Sequence, residues 1–282
     1  MNIERVDEKV EIRNLSTGFR RKKGGPRILH QGLNLVLNRG EVVCILGPNG
    51  AGKSTLLRTM LGFEKALGGK ILFSDQPLDE LSVKELSRKV SVVLTDKIDD
   101  FYLTVFEVAL TGRYPYGSFS GKPTREDISL VTDTFQKVGV LQLAGQVFYK
   151  LSDGEKQKVM IARAIVQDTP FIFLDEPVAY VDPPGKIAIM HLLKDLSVEL
   201  NKGILVATHD LESALNYSDE LWLLGTDRKW RKGKAAELVE SGLINEFFDR
   251  EAISFNKKNH RFEWKEMRKR ENPALKGGET DG

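Results

Sequence analysis

An eight-residue run, Gly47-Pro48-Asn49-Gly50-Ala51-Gly52-Lys53-Ser54, separates the apolar stretch Val42–Leu46 from helix-forming residues at 55–61. No other feature of the chain narrows its possible folds as far. Glycines let consecutive backbone N–H groups close around an anion, and a helix starting directly behind them contributes a partial charge of roughly +0.5. Lys53 can then reach the β- and γ-phosphates of a nucleotide, while the Ser54 hydroxyl can bind Mg²⁺. Strand, loop and helix in this order form a P-loop, so residues 47–54, with Thr55 behind them, are expected to bind nucleotide.

A phosphate cradle of this kind needs an acid at the end of a second strand. The apolar residues 171–174 run into Asp175 and Glu176. Asp175 is expected to order the Mg²⁺ shell with Ser54, leaving Glu176 as general base for an attacking water. Two adjacent acids at a strand end also serve as a helix cap or a solvated turn, and it is the P-loop that favours the metal and base roles. His209 follows the apolar run Gly203–Thr208 and should emerge at the same carboxyl edge of the sheet, where ligands of open α/β sheets bind. Its plain alternative is a satisfied surface histidine.

Around these motifs the chain alternates strands and helices. Alternating apolar residues at 10–13 and 33–37 read as half-buried strands, joined through the basic, Gly/Pro-punctuated segment 20–27. That segment is either a solvated hairpin tip or an anion or headgroup contact. From Thr104 the spacing turns helical, and Ile128, Val131, Phe135 and Val138 mark a helix from Thr124, capped by Thr124 with Asp127 three residues on. A strand at 171–174, a helix at 185–200 and a strand over Gly203–Thr208 indicate a parallel sheet covered by helices. Ile253 and Phe255 alternate opposite Phe262 and Trp264, which predicts a small hairpin, and the charged, Gly-rich residues 265–282 are expected to be disordered.

Composition removes several classes of function. The 42 Lys+Arg and 40 Asp+Glu leave a net charge of +2, without the basic excess of a protein built to grip nucleic acid. Cys44 is the single cysteine, which excludes an intrachain disulfide and a cysteine-rich zinc cluster and fits a reducing compartment. The charged residues at 4–9 do not make a secretory signal, and no apolar run approaches the roughly 18–20 residues of a bilayer span, so any membrane role is expected to be peripheral.

The segment Leu151-Ser152-Asp153-Gly154-Glu155-Lys156-Gln157, with Ile161-Ala162-Arg163-Ala164 behind it, resembles the signature motif of ATP-binding cassette (ABC) ATPases. P-loop, signature, Asp175-Glu176-Pro177 and Thr208-His209-Asp210 follow the family's order and approximate spacing over residues 10–240. The resemblance implies a P-loop NTPase with a parallel-sheet nucleotide-binding core, an amino-terminal antiparallel β subdomain and an inserted helical subdomain at about 97–165. The cassette would span residues 1–240, with 241–282 as an extension. It further implies ATP and Mg²⁺ as cofactors, and a homodimer in which Ser152, Asp153, Gly154 and Glu155 of one copy cap the γ-phosphate held by the other. His209 would contact that phosphate and help hold the attacking water, and Phe19 would stack on adenine.

Some positions depart from the family pattern. Asp153 replaces a glycine, Glu155 replaces the commonest glutamine, and residues 179–182 keep only Asp182 of the usual Ser-x-Leu-Asp. Thr95 stands at the position of the loop glutamine that reaches the metal and the attacking water, so Asp96 or an ordered water would have to substitute, or coupling would differ. Leu103-Thr104-Val105-Phe106-Glu107-Val108 and Thr111-Gly112-Arg113-Tyr114-Pro115-Tyr116-Gly117 are similar to cassettes of importers for iron–siderophore complexes, haem and cobalamin. That similarity implies a membrane permease docking near Tyr114 and Tyr116, a periplasmic or lipoprotein substrate-binding protein as an indirect partner, and a peripheral location on the cytoplasmic face of the inner membrane. Alternatively Tyr114, Tyr116 and Phe119 only cap the helical subdomain. Exporter cassettes, soluble ABC ATPases and nucleotide-dependent regulators are the competing functions. A gap of 152 − 53 = 99 residues from Lys53 to Ser152 and the single P-loop argue against the nucleic-acid-acting types.

Overall fold

A computed structural model of the chain describes residues 8–21, 24–95, 102–117, 122–179, 181–250 and 253–264. The expected tail at 265–282, together with Asp96, Phe119 and Tyr180, lies outside the described residues. The amino-terminal strands β1 (Lys9–Phe19) and β2 (Arg27–Asn38) pair antiparallel, and the apolar stretch at 42–46 that follows them is strand β3 (Val42–Leu46). Both amino-terminal strands extend well beyond the predicted alternation. Shifts of register between Ile12 and Leu15 and again near Thr17 break the period of two, so burial no longer follows a simple alternation along β1.

Helix α1 (Lys53–Met60) follows the P-loop and leads to β4 (Gly68–Phe73), β5 (Gln76–Pro77), α2 (Val83–Lys89) and β6 (Val90–Val93). The helical insertion comprises α3 (Val105–Leu110), α4 (Arg125–Val138) and α5 (Asp153–Val166). Each starts at a hydroxyl residue whose side chain and the acid three positions on bond each other's backbone: Thr104 with Glu107, Thr124 with Asp127, and Ser152 with Glu155. Then β7 (Phe171–Asp175), α6 (Pro183–Glu199), β8 (Gly203–Thr208), α7 (Leu211–Tyr217) and β9 (Glu220–Leu224) complete the alternating part. The described chain closes with β10 (Trp230–Gly233), α8 (Ala235–Glu240), α9 (Leu243–Phe248) and the predicted hairpin of β11 (Ile253–Asn256) with β12 (Arg261–Trp264).

The main sheet has the order β10-β9-β3-β8-β7-β6, parallel except for β10. Every residue of β3, β7 and β8 is buried, because both faces of the sheet are covered. Cys44, Leu46, Leu174 and Val206 face the helices, and this core layer also takes in Ile244 and Phe255 of the carboxy-terminal elements. Val43, Ile45, Phe173 and Leu205 face α1 and a second sheet of order β2-β1-β4-β5. The α/β class, the antiparallel amino-terminal sheet and the helical insertion are therefore as the resemblance implied.

Candidate functional site

Strands β3, β8 and β7 are neighbours, with Leu46 level with Thr208 and Ala207 level with Asp175. The loops that leave them carry the P-loop, His209 and Glu176, so three motifs far apart in sequence meet at one carboxyl edge. The P-loop geometry depends on its glycines. A Cβ at Gly47 would stand 2.4 Å from the Leu224 carbonyl oxygen, and Gly50 and Gly52 have φ of 83° and 90°, a region that side chains disfavour. Phe19, Asn49, Gly50, Gly52, Lys53, Ser54, Thr55 and Glu176 line a cleft of about 410 Å³, together with Arg27 and Leu29.

Lys53 is 7% exposed, and its ammonium donates to the Gly47 carbonyl at 2.9 Å. Burial pushes its pKa down, against the opposing pull of the Glu176 and Asp175 charges. The Ser54 hydroxyl donates to Asp175 Oδ1 at 3.0 Å, which brings together the two side chains expected on Mg²⁺. Among the described residues no cluster of three or more His, Cys, Asp and Glu side chains is set to hold a metal by itself. Two oxygens beside a phosphate cradle suit Mg²⁺, which takes the rest of its octahedral shell from phosphates and water. Burial pushes the Asp175 carboxyl up, the Ser54 hydrogen bond opposes this, and the adjacent Glu176 charge adds to it.

Glu176 has φ of +51°, unusual for a residue with a side chain. Its amide is fixed by the Ala207 carbonyl at 2.8 Å, and its carboxylate lies 2.8 Å from His209 Nδ1 and 3.9 Å from Lys53 Nζ. Acid, lysine and histidine thus form one contiguous polar cluster at the P-loop. Thr95, just beyond β6, donates its hydroxyl to the Asp175 carbonyl at 3.0 Å. It ties down the backbone on which both acids sit.

The signature residues lie at the amino end of α5. The Ser152 hydroxyl donates to Glu155 Oε2 at 2.7 Å, and a Cβ on Gly154 would meet nothing within 4 Å, so this helix end has an open face. The Ser152 hydrogen bonds hold the Glu155 carboxyl below its usual range. The two tyrosines of the 111–117 segment differ in setting. Tyr114 is 75% exposed, while Tyr116 is packed under the Arg113 and Arg88 guanidinium groups at 4.4 Å and 5.4 Å and donates to the Asp168 carbonyl at 3.2 Å. Arg27, the last residue of the basic segment 20–27, lines the cleft, whereas sequence reasoning missed Leu29 and, beneath the P-loop, the buried pair Thr17 and His30. A lone histidine within a strand carries no local signal.

Such a cleft, with its lysine, hydroxyl and paired acids on a parallel sheet, defines a P-loop nucleoside triphosphatase. The match of residues 30–179 to the ABC transporter family model goes further, and the chain belongs to that family, as an ATP-hydrolysing cassette that uses ATP with Mg²⁺. An uncharacterized ABC transporter ATP-binding protein of Methanocaldococcus jannaschii is 34% identical over 91% of this chain and 87% of its own length. The petrobactin import ATP-binding protein of Bacillus subtilis is 33% identical over 85% of this chain and 92% of its own. Among solved structures, the dimeric structure of a bacterial ABC transporter cassette superposes with a TM-score of 0.71 at 26% identity, covering 80% of this chain and 98% of that one.

Proposed function

We propose that the chain powers uptake of an iron complex, either a siderophore or haem, or of cobalamin, through a separate membrane permease. It would work as an ATP-sandwiching homodimer at the cytoplasmic face of the inner membrane, with a periplasmic or lipoprotein substrate-binding protein upstream. The observation that carries the hydrolytic part is the Glu176 carboxylate, bonded to His209 and close to Lys53 at the mouth of the phosphate cleft. The import part is supported by the similarity to a petrobactin import subunit and by the exposed Tyr114 of the helical insertion. Permease docking near Tyr114 and Tyr116 then uses the free face of Tyr114, with Tyr116 keeping the segment in place. Residues 1–240 act as the cassette and 241–282 as its extension.

In this reading residues 47–55 wrap the phosphates and Phe19 stacks on the base. The Lys53 ammonium, which contacts the Gly47 carbonyl and Glu176, faces the cleft where phosphate oxygens would bind. Ser54 and Asp175 would hold Mg²⁺, which would neutralise charge on the phosphates. Glu176 takes the proton of the attacking water, and His209 orients that carboxylate. Ser152, Asp153, Gly154 and Glu155 offer the open amino end of α5 to the other copy's nucleotide. The test is affinity purification of the tagged chain from detergent-solubilised membranes of its source organism, followed by mass spectrometry. A multi-span permease in the eluate is expected; ribosomes or nucleic acid instead would overturn the importer reading.

A further inference from the structure

His30 lies within β2 with no solvent exposure, and both of its ring nitrogens have partners. Nδ1 is 2.6 Å from the hydroxyl of Thr17, its register partner on β1, and Nε2 is 2.7 Å from the Ala51 carbonyl oxygen of the P-loop. A carbonyl only accepts, so Nε2 carries the proton, and a neutral ring then receives the Thr17 hydroxyl proton at Nδ1. Burial pushes the ring's pKa down, towards that neutral form.

What this ring holds matters more than how it is satisfied. The Ala51 carbonyl and the Gly52 amide belong to one planar peptide, in which C=O and N–H point in opposite directions. A carbonyl fixed downward onto His30 therefore turns the Gly52 N–H the other way, towards the cleft that Gly50, Gly52 and Lys53 line. The ring also sets the height of the loop. A Cβ on Gly52 would stand 2.7 Å from His30 Cε1 and 3.1 Å from Nε2, so imidazole fills the space directly beneath the glycine.

From this geometry we propose that His30 is a positioning residue for the nucleotide phosphates: by gripping the Ala51 carbonyl from below it aims the Gly52 amide into the phosphate cradle. The inference rests on the assignment of residues 47–55 to the phosphates. It also links the two ends of the cleft, because Thr17, which steadies the ring, is two residues from Phe19 on the same strand.

Two near-isosteric variants of the full chain test it. In His30→Gln the amide nitrogen takes the place of Nε2 and still donates to Ala51. In His30→Asn it takes the place of Nδ1, which keeps Thr17 and releases Ala51. ATP and AMP affinities, kcat, KM and thermal melting are measured for both, with Lys53→Ala alongside. His30→Asn should bind ATP about tenfold more weakly, the equivalent of one charge-assisted hydrogen bond, with KM raised and kcat at saturation largely kept. AMP affinity should be unchanged, and His30→Gln should stay near wild type. Wild-type ATP affinity in His30→Asn, equal losses in both variants, or AMP affinity falling in step with ATP would overturn the proposal. Should His30→Asn fail to fold, Thr17→Val replaces it, loosening the ring without touching the loop; ATP affinity should fall several-fold, and no change would overturn the proposal. If Lys53→Ala binds ATP normally, the phosphate assignment itself fails. If only Lys53→Ala loses ATP, the fault lies with His30 alone.

Discussion

Replacing Glu176 by glutamine separates the chemistry of this site from its binding. The amide keeps the shape of the side chain and leaves an oxygen for His209 Nδ1, now 2.8 Å from the carboxylate, so the backbone at φ +51° gains no new strain. Two things change. The base is lost, which should lower kcat by about 10²–10⁴-fold, or about 3–5 kcal/mol of transition-state stabilisation. A negative charge 3.9 Å from Lys53 is also lost. A pair at that distance interacts by at most about 4 kcal/mol at a surface-like dielectric, and solvent at the cleft reduces this further. With the carboxylate gone, Lys53 has one competitor fewer for phosphate and the phosphates have one anion fewer beside them. ATP affinity should therefore rise while turnover collapses, and a closed dimer should accumulate. Phosphate release under Mg²⁺ with calorimetric ATP titration reads the first two quantities, and gel filtration with ATP reads the third. A fall in kcat of less than tenfold, or weaker ATP binding, would refute the reasoning.

Other expectations are simpler. Lys53→Ala should lose most ATP affinity by calorimetry, because the cation sits in the cleft against the Gly47 carbonyl and Glu176, where phosphate would bind. Thr95→Gln should support transport in reconstituted vesicles at least as well as wild type if threonine is a working substitute; normal ATPase activity without transport would show that coupling has been rebuilt around the Thr95–Asp175 hydrogen bond. Phe135 is fully buried and packs edge-on against Phe106 at 6.1 Å, so Phe135→Ala should cost about 3–5 kcal/mol in denaturant unfolding. Cys44, whose thiol burial pushes up to about 12, should resist maleimide in the native protein at pH 8 and react once the chain is unfolded.

The parts of the site that were legible in the sequence are those in which local chemistry dictates local shape. The P-loop announces itself because glycine, lysine and hydroxyl stand between an apolar strand and a helix, and Asp175, Glu176 and His209 stand at the ends of short apolar runs that read as buried strands. The helix from Thr124 was equally plain, since Thr124 and Asp127 form a capping box at the spacing that such boxes require. The same rule was available at Ser152 and Glu155, where the carboxylate proves to be a cap as well as part of the signature. What stayed hidden depends on contacts between distant segments. β1 outran its predicted length because its register shifts scramble the alternation on which strand reading relies. His30 is recognisable only once β2 lies beneath the P-loop. The different settings of Tyr114 and Tyr116 likewise come from Arg88 and Asp168, which are remote in sequence.

The left-handed backbone of Glu176 carries a further meaning for anyone who engineers this protein. A residue with a side chain in that conformation costs about 1–2 kcal/mol that glycine would not. Any library ranked by melting temperature alone should therefore favour glycine at position 176, and would return a sturdier cassette from which the carboxylate had been discarded.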